Sequence, residues 1–215
     1  MATQNYLLLG QKKRMIEGLR EKGITDENVL AAFDKMERHL FLESFLWPRA
    51  YEDIAIKLTT DQTISKPSTV AFQSQLLEVR RGHKVLEIGT GSGFQAAILY
   101  AMGAKVYTIE RQIALFQHTR PLLDKLAPSV VTYYGDGFKG WPQFAPYDRI
   151  IVTCGAPEIP EALIEQLAIG GIMVIPVGTE SQMMKKIVKI SDTEYEEEDF
   201  GDCLFVPMLK ERVKR

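Results

Sequence analysis

The sequence predicts an α/β fold in which a mostly parallel, twisted sheet carries helices on both faces. The first observation is that strand-like runs at residues 85–88 and 106–109 alternate with helix-like runs at 94–102 and 113–126, as in parallel strands joined by crossover helices. The second is that a glycine-rich turn follows the first strand. Further elements extend the sheet, with strands at residues 130–134, 149–152 and 172–177 and a helix at 161–167.

An N-terminal helical extension precedes the sheet. Between residues 7 and 42, apolar residues recur at steps of three and four, which predicts two amphipathic helices. Gly23 separates them. Thr25 or Asp26 can cap the second helix, because either side-chain oxygen can accept a free N–H of the first turn.

Residues 41–68 lose this periodicity and predict a long ordered loop. Such length favours a role in lining or covering a site, and a surface excursion is the alternative. A further helix is expected after Pro67, with Ser65 or Ser68 near its start.

The C-terminal part predicts an antiparallel hairpin, with apolar runs at residues 184–190 and 203–208 flanking an acidic stretch at 194–199. A chain of 215 residues suits one domain with a full core. We divide this domain into N-terminal helices and loop, a central ligand-binding part and the hairpin, at residues 1–80, 81–178 and 179–215.

Composition narrows the class of protein. With 46% hydrophobic and 25% charged residues, the chain is neither disordered nor fibrous. A net charge of −2 argues against a nucleic-acid partner held by phosphate neutralisation. Cys154 and Cys203 are expected to be free thiols, which favours a reducing compartment. No apolar run suits a signal or a membrane span, so we expect a cytoplasmic protein without membrane contact.

The glycine-rich turn is the first candidate site. Gly89, Gly91 and Gly93 let the chain turn tightly and let a ligand approach the backbone. Glu87 precedes them, where a carboxylate would repel pyrophosphate and favour a cationic ligand such as S-adenosylmethionine. The alternative is a strand-to-helix turn that binds nothing.

Two later acids suit the rest of such a ligand. Glu110 ends the next strand, where a carboxylate can accept hydrogen bonds from ribose hydroxyls, although a solvated surface acid is the alternative. Asp136, between Gly135 and Gly137, and a neighbouring N–H suit an adenine ring, although an ordinary turn explains them equally well. All three sites follow consecutive parallel strands, where open α/β sheets bind ligands.

Together these motifs resemble the class I methyltransferase superfamily over residues 85–178, which implies a Rossmann-like fold. Residues 61–67, Asp-Gln-Thr-Ile-Ser-Lys-Pro, are similar to the Q-T-I-S-x-P signature of the protein-L-isoaspartate O-methyltransferases. Further similar segments are residues 86–97, 108–111, 135–137, 147–152, 160, 166–167 and 170–178. Phe94 replaces the usual tyrosine, Cys154 stands where small residues are commoner, and beyond Gly178 the similarity weakens to residues 205–207.

The resemblance implies an enzyme of class EC 2.1.1.77 that methylates the free carboxylate of L-isoaspartyl residues, with D-aspartyl residues as further candidates. Damaged proteins and peptides are the expected partners of a monomer that needs no metal. S-adenosylmethionine is the cofactor and S-adenosylhomocysteine the product. The resemblance places Ser65 beside the substrate carboxylate, with Thr63 and Ile64 contacting the substrate. The cofactor residues are Glu87, Gly89, Thr90, Gly91, Gly93, Glu110, Arg111, Asp136 and Gly137.

The expected nucleophile needs no general base, because a carboxylate with a pKa near 4 is already ionised at neutral pH. His39, His83 and His118 are accordingly interpreted as structural or solvent-facing. Ser65 is expected to orient the carboxylate by donating a hydrogen bond, and Thr63 to assist. An N-cap role for Ser65 is the alternative and is compatible with the first.

One rival function is a methyltransferase for nucleic acid or a small molecule, and the other is a non-catalytic module that binds S-adenosylmethionine. A methyltransferase for nucleic-acid amino groups usually has Asn or Asp followed by Pro-Pro and an aromatic residue after the fourth strand, whereas residues 153–157 read Thr-Cys-Gly-Ala-Pro. A methyltransferase for small molecules would share the cofactor part but not the segment at 61–67. A non-catalytic sensor of S-adenosylmethionine is expected to have lost Ser65 or the glycine turn, and both are present.

Overall fold

The computed structural model describes residues 2–57 and 63–213. Its helices are α1 (Ala2–Glu21), α2 (Glu27–Lys35), α3 (Pro67–Leu76), α4 (Phe94–Ala101), α5 (Ile113–Leu126) and α6 (Glu161–Gln166). Its strands are β1 (Ile56–Lys57), β2 (Thr63–Ile64), β3 (Lys84–Ile88), β4 (Lys105–Glu110), β5 (Val131–Tyr134), β6 (Tyr147–Val152), β7 (Leu167–Val177), β8 (Gln182–Lys189) and β9 (Tyr195–Cys203).

Seven strands form one mixed sheet in the order β5-β4-β3-β6-β7-β8-β9. The first five strands in this order, β5 through β7, run parallel to one another. The strands β8 and β9 then extend the sheet beyond β7, each antiparallel to the strand before it. The predicted α/β class with a mostly parallel sheet is confirmed. The chain order reverses between β3 and β6, and ligands of open α/β sheets bind at the carboxyl ends of strands at such a point.

Apolar side chains on the two faces of the sheet form two separate cores. Val85 and Ile151 contribute to the core that also contains the N-terminal helices. Leu86 and Ile150 contribute to the opposite core, with Leu163 of α6. Successive strand residues point to opposite faces, so adjacent residues of β3 and β6 enter different cores. Helices therefore cover both faces, as predicted.

The break between the two N-terminal helices lies at Gly23, as the sequence predicted, but the second helix ends at Lys35 and residues 38–41 form a 3-10 helix. Gly23 adopts a positive φ of 88° in the turn after α1. Asp26 caps α2, and its side chain accepts hydrogen bonds from the N–H groups of Asn28 and Val29. Of the two candidate caps, Asp26 is thus the one that the structure shows, while the main-chain N–H of Thr25 donates to the Gln75 side chain of α3.

The segment predicted as a loop contains regular elements. A 3-10 helix spans Ser44–Arg49, and β1 and β2 form a two-stranded antiparallel sheet that pairs Ile56 with Ile64. Elements this short produce no detectable periodicity, which explains why the prediction of a plain loop was incomplete. Asp61 and Gln62 of the Q-T-I-S-x-P segment lie outside the described residues.

The N-terminus of α3 is capped by a distant residue. Lys66 occupies the N-cap position and makes no side-chain cap, and the Asp53 carboxylate accepts a hydrogen bond from the Ser68 N–H at 2.8 Å. The alternative that Ser65 is the N-cap of this helix is therefore wrong. Ser65 lies just before the cap position, with its side chain free for another role.

The predicted C-terminal hairpin exists, but its second strand is displaced. The acidic stretch itself forms β9, whose acidic residues are exposed, and residues 204–208 leave the sheet. Lys185 of β8 pairs with Glu197 and Asp199 at 3.0 and 2.8 Å, which explains how so acidic a segment can form a strand.

Among the described residues, no helix is long and apolar enough to cross a membrane.

Candidate active site

A cavity of about 400 Å³ opens at the carboxyl ends of β3, β4 and β6. One wall is the segment around Ser65, a second is the glycine turn after β3, and a third is formed by residues 204–209. The predicted site residues that line it are Thr63, Ile64, Ser65, Gly89, Thr90, Gly91, Glu110, Arg111 and Gly137. Glu87, Gly93 and Asp136 do not line it.

The glycine turn needs its glycines for two different reasons. Gly89 has a φ of 97°, and a Cβ atom there would lie 2.6 Å from the Thr153 hydroxyl oxygen. That hydroxyl donates to the Gly89 carbonyl at 2.7 Å and so holds the turn against β6. Gly93 has a φ of 84° at the N-cap of α4, where a Cβ atom would lie 2.8 Å from a methyl group of Thr119. Gly89 therefore shapes the cavity wall, whereas Gly93 permits packing of α4 against α5.

The Glu110 carboxylate is placed to accept hydrogen bonds from hydroxyl groups of a ligand in the cavity. Its two carboxylate oxygens accept hydrogen bonds from the N–H groups of Gly91 and Gln112, both at 2.9 Å. A carboxylate has about four acceptor positions, so lone pairs remain for a ligand in the cavity. Burial raises the pKa of Glu110, and the hydrogen bonds from Gln112 and Gly91 oppose this rise.

Glu87 lies beneath the glycine turn, not on the cavity wall. Its side chain is fully buried, and neither carboxylate oxygen has a hydrogen-bond partner among the described residues. Burial raises the pKa of Glu87 to a net value of about 8, in which the Thr108 hydroxyl acts to lower the pKa and the nearby Glu110 acts to raise it. Glu87 is therefore mainly neutral at pH 7. The sequence predicted a carboxylate that favours a cationic ligand, and the alternation of β3 instead turns the Glu87 side chain away from the cavity, toward the face of Val85.

Asp136 and Arg111 hold the C-terminal strap, which we define as residues 204–213. Asp136 accepts hydrogen bonds from the N–H groups of Phe138 and Glu211 at 3.0 and 3.1 Å. The Arg111 guanidinium donates to the carbonyl groups of Lys210 and Glu211 at 3.4 and 3.1 Å. Asp136 and Arg111, which were predicted to contact a cofactor, thus hold the strap beside the cavity. Gly137 lines the cavity wall next to Asp136.

Sequence reasoning missed the glutamines of the cavity. Gln73 donates to the Val152 carbonyl at 3.0 Å, and Gln95 donates to the Ser74 hydroxyl at 2.9 Å. Both line the cavity and are almost fully buried. The Gln95 amide oxygen has no partner within the described part of the chain, and such a group requires a donor. The sequence did contain a signal for these two residues, because each is a polar amide on the apolar face of its helix, α3 or α4.

The Ser65 hydroxyl is also uncommitted. Ser65 is half-buried and lines the cavity, and its hydroxyl makes no hydrogen bond to the residues that the structure describes. Its carbonyl accepts a hydrogen bond from Arg38 at 2.8 Å. The backbone at Ser65 is thus held while the hydroxyl can interact with a ligand.

The residues present fit S-adenosylmethionine. Glu110 offers acceptors for ribose hydroxyls, the backbone at Gly137 offers a wall for the adenine, and Gln95 offers an unpaired amide oxygen. Both cysteines are free, and burial raises the pKa of the Cys154 thiol on the cavity wall to about 12. Within residues 2–57 and 63–213, no group of three or more His, Cys, Asp or Glu side chains could hold a metal ion.

Comparison with known proteins agrees with this geometry. Residues 10–213 match the family model described as protein-L-isoaspartate(D-aspartate) O-methyltransferase. The protein-L-isoaspartate O-methyltransferase of Christiangramia forsetii is 50% identical over 209 residues, which cover 96% of this chain and 98% of the relative. The enzyme of Flavobacterium psychrophilum is 52% identical over 204 residues, with 94% and 96% covered.

A solved structure has the same fold. It is a protein-L-isoaspartate O-methyltransferase from Plasmodium falciparum in complex with S-adenosyl-L-homocysteine, with a TM-score of 0.82 at 21% identity. The match covers 92% of this chain and 98% of that one. The full-length family match, the relatives and the cavity above the glycine turn lead to one conclusion: the chain belongs to the protein-L-isoaspartate(D-aspartate) O-methyltransferase family of S-adenosylmethionine-dependent enzymes.

Proposed function

We propose that this protein-L-isoaspartate O-methyltransferase uses the Ser65 hydroxyl to orient the isoaspartyl carboxylate for methylation. The observation that carries the proposal is the position of Ser65 on the wall of the same cavity as Gly89 and Glu110, with its hydroxyl uncommitted. Donation of one hydrogen bond to one carboxylate oxygen would leave the other oxygen free to attack. Orientation of this kind is the main contribution an enzyme can make to an in-line displacement.

The cofactor is held by the residues at the ends of the parallel strands. Glu110 accepts hydrogen bonds from hydroxyl groups, the glycine turn lets the ligand approach the backbone, and Gly137 packs beside the adenine position. When bound, S-adenosylmethionine supplies a methyl group activated by its sulfonium. Asp136, Gly93 and Glu87 support these walls from behind, and Arg111, which lines the cavity, joins Asp136 in holding the C-terminal strap.

An ionised carboxylate needs no general base, and the positions of the three histidines agree with this. His39 lies 2.9 Å from the Tyr51 hydroxyl, and the His83 ring accepts a hydrogen bond from the Arg80 N–H at 3.1 Å. His118 is exposed on α5. Among the residues described, none of the three lines the cavity. The substrate carboxylate, ionised at neutral pH, therefore acts without assistance from a histidine.

The substrate backbone pairs with β2. Ile64 is buried and Thr63 is exposed beside the cavity, and within the described part of the chain β2 pairs with β1 along one edge only. A strand with an open edge can add an extended peptide through main-chain hydrogen bonds. This would place an isoaspartyl side chain next to Ser65, with the Thr63 hydroxyl beside it.

The expected partners follow from this site. We propose that damaged proteins and peptides containing L-isoaspartyl residues are the substrates, with D-aspartyl residues as further candidates, and that the enzyme acts as a cytoplasmic monomer. The two free cysteines agree with a reducing compartment. Sedimentation of the purified chain would test the monomer.

The test uses labelled S-adenosylmethionine and two peptides that differ only in an isoaspartyl or aspartyl residue. We expect base-labile label on the isoaspartyl peptide alone. Ser65→Ala should reduce turnover by about tenfold to a hundredfold, as expected for a lost hydrogen bond to a charged group, with folding and cofactor affinity retained. Ser68→Ala, in the same segment but off the cavity wall, should keep its turnover. Near-normal turnover by Ser65→Ala would remove Ser65 from the mechanism.

A further inference from the structure

Arg38 is a fully buried arginine that forms no ion pair with another described residue. Its relative exposure is 0%, and no carboxylate of the described residues lies within ion-pair distance of its guanidinium. Burial lowers the pKa of Arg38 to about 10, and the charge of Asp53 opposes this change. Buried arginines are rare unless they are paired, and transfer of a cation from water into a protein interior is costly. The hydrogen bonds that Arg38 makes must therefore serve a purpose that an apolar residue could not.

Those hydrogen bonds converge from three separate parts of the segment that leads to the cavity. The guanidinium donates to the carbonyl groups of Ala50 at 2.5 Å, Ser65 at 2.8 Å and Ile54 at 3.5 Å. Ala50 follows the 3-10 helix, Ile54 precedes β1, and Ser65 follows β2. The planar guanidinium is suited to this, since it presents several donors in a fixed geometry.

Arg38 also contacts the opposite wall of the cavity. Its guanidinium carbon lies 5.6 Å from the centre of the Phe94 ring, within the range of a cation–π contact. Phe94 lines the cavity directly after the glycine turn, and its ring packs edge-on against Phe33 and Phe41. The guanidinium thus lies between a cavity-lining aromatic ring and the backbone of Ser65.

We propose that Arg38 is a positioning residue that aims the Ser65 hydroxyl at the substrate carboxylate through the Ser65 carbonyl. The inference rests on the proposed role of Ser65. Because the Ser65 hydroxyl has no hydrogen bond to the described residues, its direction depends on the backbone that carries it. The hydrogen bond from Arg38 fixes that backbone. A displacement of about 1 Å at a reacting group can reduce catalysis by about a hundredfold.

Lysine is the informative replacement. Arg38→Lys keeps the charge but cannot hold three carbonyl groups in the same fixed geometry. We expect the KM for an isoaspartyl peptide to rise at least about fivefold, a modest effect on the scale of a lost buried hydrogen bond. The dissociation constant for S-adenosylhomocysteine should stay within about twofold of the parent value. A loss of folded enzyme alone would lower the apparent kcat and leave KM unchanged.

Arg149 provides a matched control. It is 9% exposed and donates to the carbonyl groups of Leu77 at 2.7 Å and Glu78 at 3.3 Å, away from the cavity wall. Arg149→Lys should lower the thermal midpoint as Arg38→Lys does, but leave the peptide KM unchanged. An equal rise of KM in both variants would overturn the proposal.

A double-mutant cycle separates this inference from the proposed function. If Arg38 acts through Ser65, Arg38→Lys should raise the peptide KM much less in the Ser65→Ala background than in the parent. An unchanged peptide KM in folded Arg38→Lys, or additive effects of the two substitutions, would refute the role of Arg38. Normal activity of Ser65→Ala would instead refute the proposed role of Ser65.

A second variant covers a failure to fold. Arg38→Gln is smaller, uncharged and still able to donate to a carbonyl, and it should show a rise in peptide KM at least as large as that of Arg38→Lys. If both variants are unfolded at low temperature while Arg149→Lys is folded, Arg38 is a residue of the folding core, and the proposal is wrong.

Discussion

The Glu110 carboxylate accepts a hydrogen bond from the main-chain N–H of Gly91 at 2.9 Å. This contact joins the end of β4 to the glycine turn that follows β3. The acid predicted to bind ribose and the turn predicted to bind the rest of the cofactor are therefore parts of one hydrogen-bonded structure. A change at either residue should disturb both the turn and the ligand.

Glu110→Gln should weaken cofactor binding. A glutamine has one acceptor oxygen, so either the Gly91 or the Gln112 N–H would lose its acceptor. We expect S-adenosylhomocysteine to bind about tenfold to a hundredfold more weakly, because a buried hydrogen bond to a charged group contributes about 1.5–3 kcal/mol. Titration calorimetry measures the change. Glu161→Gln, exposed on α6, should bind like the parent chain, and equal binding by both variants would contradict the prediction.

Glu87 should make the stability of the ligand-free protein fall as the pH rises. Its pKa is about 8 in the folded state and about 4.3 in an unfolded chain. Between these values Glu87 keeps a proton in the folded protein that it has released in the unfolded chain. The contribution of Glu87 to the free energy of unfolding is therefore complete below about pH 4.3 and is lost as the pH rises through about 8. The slope is at most about 1.4 kcal/mol per pH unit.

Urea unfolding at a series of pH values measures this dependence, with Glu87→Gln as the comparison. Glutamine does not titrate, so the variant should show a shallower fall in the free energy of unfolding between about pH 5 and about pH 8. Parallel curves for the two proteins would show that Glu87 is not the group that titrates.

Gly89→Ala should destabilise the protein and impair cofactor binding. The added Cβ would lie 2.6 Å from the Thr153 hydroxyl oxygen at a φ of 97°. We expect a loss of about 1–3 kcal/mol in the free energy of unfolding from the backbone conformation alone. Gly18→Ala, in α1 with no atom within 4 Å of the new Cβ, should instead stabilise by about 0.5–1 kcal/mol. Chemical denaturation of both variants tests the contrast in sign.

Asp136→Ala should release the C-terminal strap. The carboxylate accepts hydrogen bonds from two main-chain N–H groups. One belongs to Phe138, next to Gly137 on the cavity wall, and the other belongs to Glu211 in the strap. We expect S-adenosylmethionine affinity to fall by about 1–3 kcal/mol, because two main-chain N–H groups beside the cavity lose their acceptor. Asp124→Ala, exposed on α5, is the control. Affinity equal to the parent would separate the strap from cofactor binding.

The central part of the parallel sheet could be predicted from sequence because β3, β6 and β7 are mainly buried apolar runs. The helix α5 shows a helical apolar period, whereas the outer strand β5 is partly exposed. The predicted helix at residues 113–126 has the same bounds as α5, and the three predicted strands that follow it lie within β5, β6 and β7 or one residue beyond them. The glycine turn and Glu110 were predicted for a related reason, since they follow consecutive parallel strands.

The remaining features depend on contacts between distant residues. No local pattern indicates that Asp53 caps α3, that Glu211 donates to Asp136, or that Arg38 reaches Ser65. The burial of Glu87 follows from the alternation of β3, which the glycine motif by itself does not indicate. The acidic stretch was predicted to lie between the two strands of the hairpin, because its partner, Lys185, becomes evident only when β8 is paired.

The charge carried by β9 has a further consequence at the margin of the sheet. Glu196, Glu197, Glu198 and Asp199 are exposed on a strand that, among the described residues, has a neighbour on one side only. Unpaired main-chain groups at such a margin can recruit extended polypeptides. The row of acids disfavours such strand addition, because each further strand would have to lie along a line of negative charge.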